Sequence, residues 1–551
     1  MKQDERGYVL ILVLVTMAAL AVLSLAAIQV NLAANKQTVF RVNETQLDTD
    51  VKSVLNVLVA DVRKTFPKHD PDTVEDYMKT QTAFQSRVET LLALNQLYTG
   101  SRQSDENEIR YTISRSVTDR IDAPFTTVLT LTATGTTKPK PEQPTQTATY
   151  SQDVYLTALP SFLYYVLGTD DMLTINGPPS ISGNMYAGKQ LDLNRDANYQ
   201  LGSSKKTLSN SPTSRFYTDG KIDLGDTAEC SGCDAPNYFA TSTTPGASDR
   251  PDIGQVESSF SKFNFDYSIV QYVNRHVTAA PYIAYGAPEA SIFGSGRFNV
   301  PTTPPFITQT YTVPGQTEPI TRWTEFIDRQ RLDAITDLRR IQAPTTSNNP
   351  IIISESIARS TVPLLFDGDV VIEGTRDITI SRPLIVNGNL TIRGKVAFDT
   401  TVYALKDAFI DRAEIRGVSS AQDSSLVLLA KGKVLLNRID EFSDTSSPLQ
   451  AFLYSDSEQP TRVFAVGSIV NIRGGLYSKG PLEINTFRGT FQPLPAGSPK
   501  EAYFASSNVT PSDEFAKSRL VMEYNEGVFE QINTLPVTNQ LQLFVSQPVK
   551  Q

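Results

Sequence analysis

Hydrophobic positions follow three successive rhythms along this chain. The first is continuous: Tyr8 to Ile28 is apolar apart from Thr16 and Ser24, and no charge occurs from Gly7 through Asn35. At ~1.5 Å per residue such a stretch, if helical, matches the ~30 Å hydrocarbon core of a bilayer. The second rhythm begins after Lys36, where Val51, Leu55, Leu58, Val62 and Phe66 recur at three- and four-residue spacing, the mark of a one-sided helix. No glycine or proline occurs from Tyr8 through Phe66, and Pro67 follows. The spacing therefore predicts one unbroken helix over 8–66, ~90 Å long. A second helix is expected over Asp72–Tyr98, ending before Gly100. The third rhythm has period two. Glu108–Ile121, Phe125–Thr134 and Thr147–Leu156 alternate as strands, parted by the proline-bearing turns "DAP" and "KPKPEQP".

Beyond Phe162 the pattern breaks into short strands punctuated by glycine. The unit G-x-aliphatic-x-aliphatic recurs as "GDVVIEG" from Gly368, "GNLTIRG" from Gly388, "GKVLL" from Gly432, "GSIVNIRG" from Gly467 and "GPLEI" from Gly480, with a shifted copy at Gly188. The two clearest copies start at Gly368 and Gly388, a spacing that suits rungs stacked as a parallel β-solenoid, ~4.8 Å apart. A β-sandwich with glycine turns is the alternative; recurrence of the unit itself favours the solenoid. Residues 200–350 read as loop-rich decoration, with one helix expected over Thr321–Ile341 around Trp323. Near the C-terminus, "RLVMEYNEGVF" and "QLQLFVSQPV" read as two strands.

Composition narrows the chemistry. The 551 residues allow two or three domains, and the net charge of −9 argues against a bulk nucleic-acid coat. The two histidines, His69 and His276, lie far apart, and the two cysteines, Cys230 and Cys233, form a single C-S-G-C. One such pair is half of a four-thiolate zinc site, so no metal site is expected. No βαβ context surrounds the pair, which favours a local disulfide over a redox motif in an outward-facing head. Asp170 and Asp171 are adjacent and point apart on a strand, so they read as a solvated turn; no regular Asp/Asn ladder that would bind Ca²⁺ is visible. A catalytic cluster is lacking, and no enzyme, cofactor or small-molecule substrate is expected.

Three readings compete for the opening segment: a signal peptide cut near Ser24-Leu25-Ala26, a plain membrane anchor, or a prepilin leader. The unbroken helix beyond the apolar run favours the last, because a signal peptide has no use for it. Arg6-Gly7-Tyr8-Val9-Leu10-Ile11 resembles a type IV prepilin processing site. The resemblance implies cleavage after Gly7 by a prepilin peptidase, methylation of Tyr8, passage through the inner membrane and packing against other pilins through the helix. The family's glutamate at the fifth mature position is Leu12 here. A subunit at the filament tip has no neighbour for that carboxylate, and leucine avoids burying it unpaired.

With its glycine-punctuated second half, the chain resembles competence-associated minor pilins that carry a large β-solenoid head. That resemblance implies an α+β fold divided as leader 1–7, pilin helix 8–66, pilin-like helix and antiparallel sheet 67–160, head 161–505, and C-terminal strands 506–551 that close the sheet. It also implies display at the pilus tip on the cell surface, priming of pilus assembly, and DNA uptake or surface binding. The rivals are a membrane-anchored solenoid scaffold without a pilus and a secreted glycan-active β-helix enzyme. Candidate DNA contacts are the arginines of the Ile-Arg-Gly tripeptides, Arg393, Arg416 and Arg473, with Arg488 of Phe-Arg-Gly a near match. In stacked rungs they would form a cationic row. Against this, 351–420 holds eight Lys/Arg and nine Asp/Glu, a balance that suits arginines merely solvating strand ends.

Overall fold

A computed structural model describes residues 5–65, 81–94 and, apart from segments of which the longest are 116–125, 242–249, 284–291, 313–320, 492–503 and 506–516, residues 99–551. A long helix, α1 (Glu5–Thr65), precedes a mostly strand-rich body, an α+β arrangement. The second helix, α2, spans Gln81–Leu94; the rest of the expected 72–98 helix lies outside the described residues.

The two halves of α1 differ in what they touch. From Ile11 to Val30 every large apolar side chain is exposed, Leu23 at 65% and Val22 at 70%. From Leu47 onward the apolar stripe is buried: Val51, Leu55, Leu58 and Val62 each have 0% exposure. They pack in one cluster with Ile109, Ile113, Leu129, Leu131, Val154 and Leu156. Each such burial contributes roughly 1.5–3 kcal/mol. The partners belong to an antiparallel sheet of β1 (Thr99–Gln103), β2 (Asn107–Arg115), β3 (Thr126–Thr137) and β4 (Thr147–Thr157). Strand Gln542–Val545 pairs antiparallel with β4. Lys550 then reaches back to α1, 3.1 Å from Asp48.

The chain therefore leaves this sheet after β4 and returns beside it some 385 residues later (542 − 157). Between these points lies a ladder of parallel pairs. Ile351 pairs with Val370, Val370 with Leu390, Leu390 with Ala408 and Ala408 with Val434. Alternate side chains point into one apolar core, where Ile372, Ile392, Ile410, Leu428 and Ile472 are all fully buried.

The order of the ladder in space is not its order in sequence. Leu476 pairs in parallel with Leu167, and Val470 with Leu520. From that joint the ladder continues through Ser180–Ser182, Met185–Ala187 and Ile222–Leu224 to Ile253–Gln255. The chain thus joins the ladder in its middle and runs to one end. Its course from that end to the other includes helix α3 (Phe265–Asn274), which packs on an outward row of tyrosines. Phe265 and Tyr272 lie 5.9 and 6.0 Å from Tyr403, and Ser268 Oγ is 3.0 Å from the Tyr403 hydroxyl. The far end is a hairpin of Phe306–Thr312 and Thr321–Ile327.

Two expectations need correction. The predicted helix over Thr321–Ile341 is strand Thr321–Ile327, a short helix Arg329–Asp333 and strand Arg340–Gln342. β-branched and aromatic residues dominate its first half, and Asp328 caps the short helix, accepting from the amides of Gln330 and Arg331. Leu520–Glu523, assigned to the antiparallel sheet, pairs in parallel with Val470–Arg473 instead; alternation alone does not say which sheet takes a strand. An amide ladder, buried at Asn176 and Asn485, is present besides and carries no signal in the sequence. Asn194 Nδ2 donates to Asn176 Oδ1 at 2.9 Å, and Asn176 Nδ2 to Asn485 Oδ1 at 3.0 Å.

Candidate functional site

The bond between Gly7 and Tyr8 lies in the first turn of α1. The amides of a first turn have no acceptor within the helix, and glycine weakens helix by about 1 kcal/mol relative to alanine. The backbone there is thus the part of α1 most easily opened for a peptidase. Leu12 is 55% exposed, one of a continuous apolar collar with Ile11, Leu14, Val15 and Met17. This helix is long and apolar enough to cross a membrane, with none of its most apolar window buried.

The four arginines do not form one row. Arg393 sits opposite Glu373 on one side, and its Nε donates to Asp411 Oδ2 at 3.2 Å. Arg416 pairs with Glu414 and shares its register with Ala397. Arg473 is exposed and lies between Gln450 and Glu523 in register. Arg488 is corrected outright as a phosphate contact: its exposure is 0%, and its guanidinium donates to the carbonyls of Pro178 and Pro179 and to Ser180 Oγ at 3.0–3.2 Å. It clamps the joint of the ladder. The similar Phe-Arg-Gly spelling concealed that role, because its acceptors lie some 308–310 residues away in sequence.

Cys230 and Cys233 are joined as a disulfide, Cα to Cα 5.8 Å, at the edge strand Glu229–Ser231. Asp170 accepts from the Tyr477 hydroxyl at 2.6 Å and Asp171 from Lys189 Nζ at 2.5 Å, so each holds a turn. They stand in a file of outward charges at the strand ends. Lys431 lies 3.7 Å and Lys479 4.0 Å from Asp456, which also accepts from the Tyr454 hydroxyl at 3.1 Å. Burial pushes the Asp456 carboxyl above its usual range, against the pull of both lysines. His276 Nδ1 lies 3.0 Å from the Tyr272 carbonyl, and burial lowers its pKa. His69 lies outside the described residues. Among the described residues no group of three His, Cys, Asp or Glu is placed to hold a metal ion.

A second basic feature is visible only in the fold. Strands Val370–Ile380, Leu390–Phe398 and Ala408–Gly417 bend at the same place, where the register shifts between Gly374 and Ile378 and again between Ile392 and Gly394. Arg376 lies in the first irregularity, Arg393 and Lys395 beside the second, Arg412 opposite them, and Arg438 follows Asn437, the partner of Asp411. Arg376, Arg412 and Arg438 are exposed, and among the described residues none of the three has a hydrogen bond or ion pair from its side chain. Arg412 and Arg438 hold φ of +50° and +51°. No sequence signal announces that conformation for arginine.

No protein-family model matches the chain, and no curated protein does. Among solved structures, the crystal structure of the competence-associated pilin ComZ from Thermus thermophilus matches 82% of this chain and 86% of that chain, at 10% identity and a TM-score of 0.22. A score of that size does not establish a common fold, and the functional reading rests on the chain's own geometry.

Proposed function

We propose that this chain is a minor pilin of a type IV pilus or related machine, with a β-solenoid head displayed at or near the tip. The observation that carries the reading is the division of α1. Its first half presents an apolar surface on all sides and its second half is buried on an antiparallel sheet. A helix apolar all round needs lipid or neighbouring helices, and one helix that needs first the membrane and then a filament core meets both demands. Processing after Gly7 and methylation of Tyr8 belong to this proposal, as do the inner membrane before assembly, contact with other pilins and with the prepilin peptidase, and the cell surface afterwards.

The parallel pairing of successive glycine-punctuated units supports a solenoid over a sandwich, whose sheets are antiparallel. The domain division is then leader 1–7, helix 8–66, sheet 67–160 with the returning strand Gln542–Val545, and the head inserted between them. A head of this bulk suits a tip better than a shaft, where helices pack side by side. There it primes assembly and receives DNA or a surface. The role is structural and not enzymatic. A membrane-anchored scaffold shares the head and the span but has no need of cleavage after Gly7.

Mass spectrometry of the native N-terminus tests the reading. A chain beginning at methylated Tyr8 supports the pilin, Met1 supports the anchor, and a start near Ala27 supports a cleaved signal. Gly7→Glu should abolish maturation; normal maturation of that variant would sink the prepilin assignment.

A further inference from the structure

The bend shared by successive rungs carries Arg376, Arg393, Lys395, Arg412 and Arg438 along three steps of the ladder. At ~4.8 Å per step the row is roughly 14 Å long and one side chain wide. Its backbone is the unexpected part. A left-handed conformation costs a non-glycine residue roughly 1–2 kcal/mol, and one rung earlier the same bend is turned by Gly394 at φ +69°. Glycine does this job without strain. Arginine at 412 and again at 438 therefore gives up stability, and no ion pair or hydrogen bond among the described residues returns it. Arg393 and Lys395 are paired with Asp411 and Glu414 at 3.2 and 3.6 Å, while the guanidinium groups of Arg376, Arg412 and Arg438 along the same bend are unpaired among the described residues, as capture of an anionic chain requires.

The neighbours say which kind. Glu373, Asp377, Asp411 and Glu414 are interleaved with the cations, and Asn437 is exposed beside Arg438. A duplex offers the row phosphates but no hydroxyl donors for the interleaved carboxylates. Single-stranded nucleic-acid sites add exposed aromatic platforms for the bases; on these strands Phe398 and Tyr403 are buried and Phe409, beside Asp411, is half-buried. An acidic polysaccharide carries both partners the row needs: carboxylates for the fork of arginine, and hydroxyls that donate to aspartate and glutamate. An extended sugar chain also advances by about one rung spacing per residue.

We infer that the bend Arg376–Arg393–Lys395–Arg412–Arg438 binds an extended acidic glycan of the uronate class. Its biological use as surface recognition rests on the outward-facing head proposed above, but its binding chemistry does not.

The test uses the full chain in detergent micelles and a labelled polygalacturonate oligomer, with neutral dextran and single- and double-stranded oligodeoxynucleotides for comparison. The wild type should bind polygalacturonate at low salt, lose it as salt rises, and ignore dextran. The double variant Arg412→Gly/Arg438→Gly should bind about tenfold or more weakly, the ratio that 1.4 kcal/mol of lost contact produces. Its thermal midpoint should be unchanged or raised, because glycine fits those φ values. Arg376→Ala, away from the strained backbone, should weaken binding several-fold, and Arg473→Ala, off the bend, should leave it unchanged. Wild-type affinity in the double variant, equal loss on Arg473→Ala, or no polygalacturonate binding at low salt would each overturn the assignment. Tighter binding of either oligodeoxynucleotide would assign the row to nucleic acid instead. These outcomes are independent of the N-terminal mass, so the glycan site and the pilin reading fail separately.

Discussion

The antiparallel sheet and the parallel ladder are both β-structure, yet they hold together in different ways. In the sheet, β1 to β4 are neighbours in sequence as well as in space, and a single helix covers one face. In the ladder the joint between Val470–Ser478 and Leu167–Thr169 brings together segments some 309 residues apart (476 − 167). The sheet is therefore specified by local turns and one amphipathic stripe. The ladder depends on whether its two sequence halves meet in register, and at that meeting point it places its least forgiving residues: fully buried Arg488, the amide ladder and a left-handed glycine.

That contrast is broken most sharply at Gly177. Its φ is +96°, and a Cβ there would overlap the carbonyl oxygen of Thr486 across the joint. Gly177→Ala combines an unfavourable backbone with a contact to main chain that cannot swing away, and should cost more than ~3 kcal/mol. Denaturant unfolding followed by far-UV circular dichroism would read it. A shift of under 1 kcal/mol would show that the two halves of the ladder are not locked at this point.

The comparison extends to the two halves of α1. Leu55→Ala removes a fully buried side chain between helix and sheet and should cost about 3 kcal/mol. Leu23→Ala removes a side chain of equal size that is 65% exposed and should leave the stability of the body unchanged in detergent. It should act instead on partition into bilayers. Equal thermal shifts for the two variants would mean that the first half of the helix has a partner within the chain.

How much of this was legible follows the same division. The continuous apolar run, the stripe from Val51 to Val62, the alternating strands and the neighbouring units at Gly368 and Gly388 are local patterns: the first two lie on one helix, and the rest form strands, those of the glycine units paired in parallel. What was hidden is set by distant partners. Asn176, Asn194 and Asn485 look like three unrelated polar residues until the chain returns. Arg488 looks like another exposed Ile-Arg-Gly relative because Pro178 and Pro179 are far away. The strand at Thr321–Ile327 passes for helix in the sequence because Trp323, Phe326 and Ile327 fit either period over so short a window. Arg412 and Arg438 sit in the right tract, but only their φ values distinguish them from arginines that simply face water.

Asn176→Ala tests the hidden part at lower cost. It removes the middle member of the amide ladder: exposed Asn194 loses its acceptor, while buried Asn485 keeps the Asn198 amide as a donor. Water replaces the lost partner of Asn194 and Asn485 stays bonded, so the loss is that of an ordinary buried hydrogen bond, about 1 kcal/mol, smaller than at Gly177 because no main chain has to move. Pairing it with Gly177→Ala in a double-mutant cycle should give a non-additive result, since both act on the joint. Strict additivity would separate the amide ladder from the locking of the halves.

The smallest expected effect lies at Asp456, on the outward file of charges that runs beside the joint. Burial raises its folded pKa above the ordinary carboxylate range despite Lys431 and Lys479. A raised carboxylate pKa means that the folded state prefers the proton: stability is greatest below the unfolded value and is lost as pH rises through the folded one. At neutral pH the ionised group is thus a net cost to the native chain. Asp456→Asn keeps an acceptor for the Tyr454 hydroxyl and removes the charge. It should be slightly more stable than the wild type at pH 7, and the gap should close as pH falls into the carboxylate range, where the wild type becomes protonated. Unfolding midpoints of both chains from pH 3 to pH 8 would measure it. A variant less stable than the wild type at pH 7 would show that the two lysines outweigh burial, and that the charge file contributes to holding the joint together.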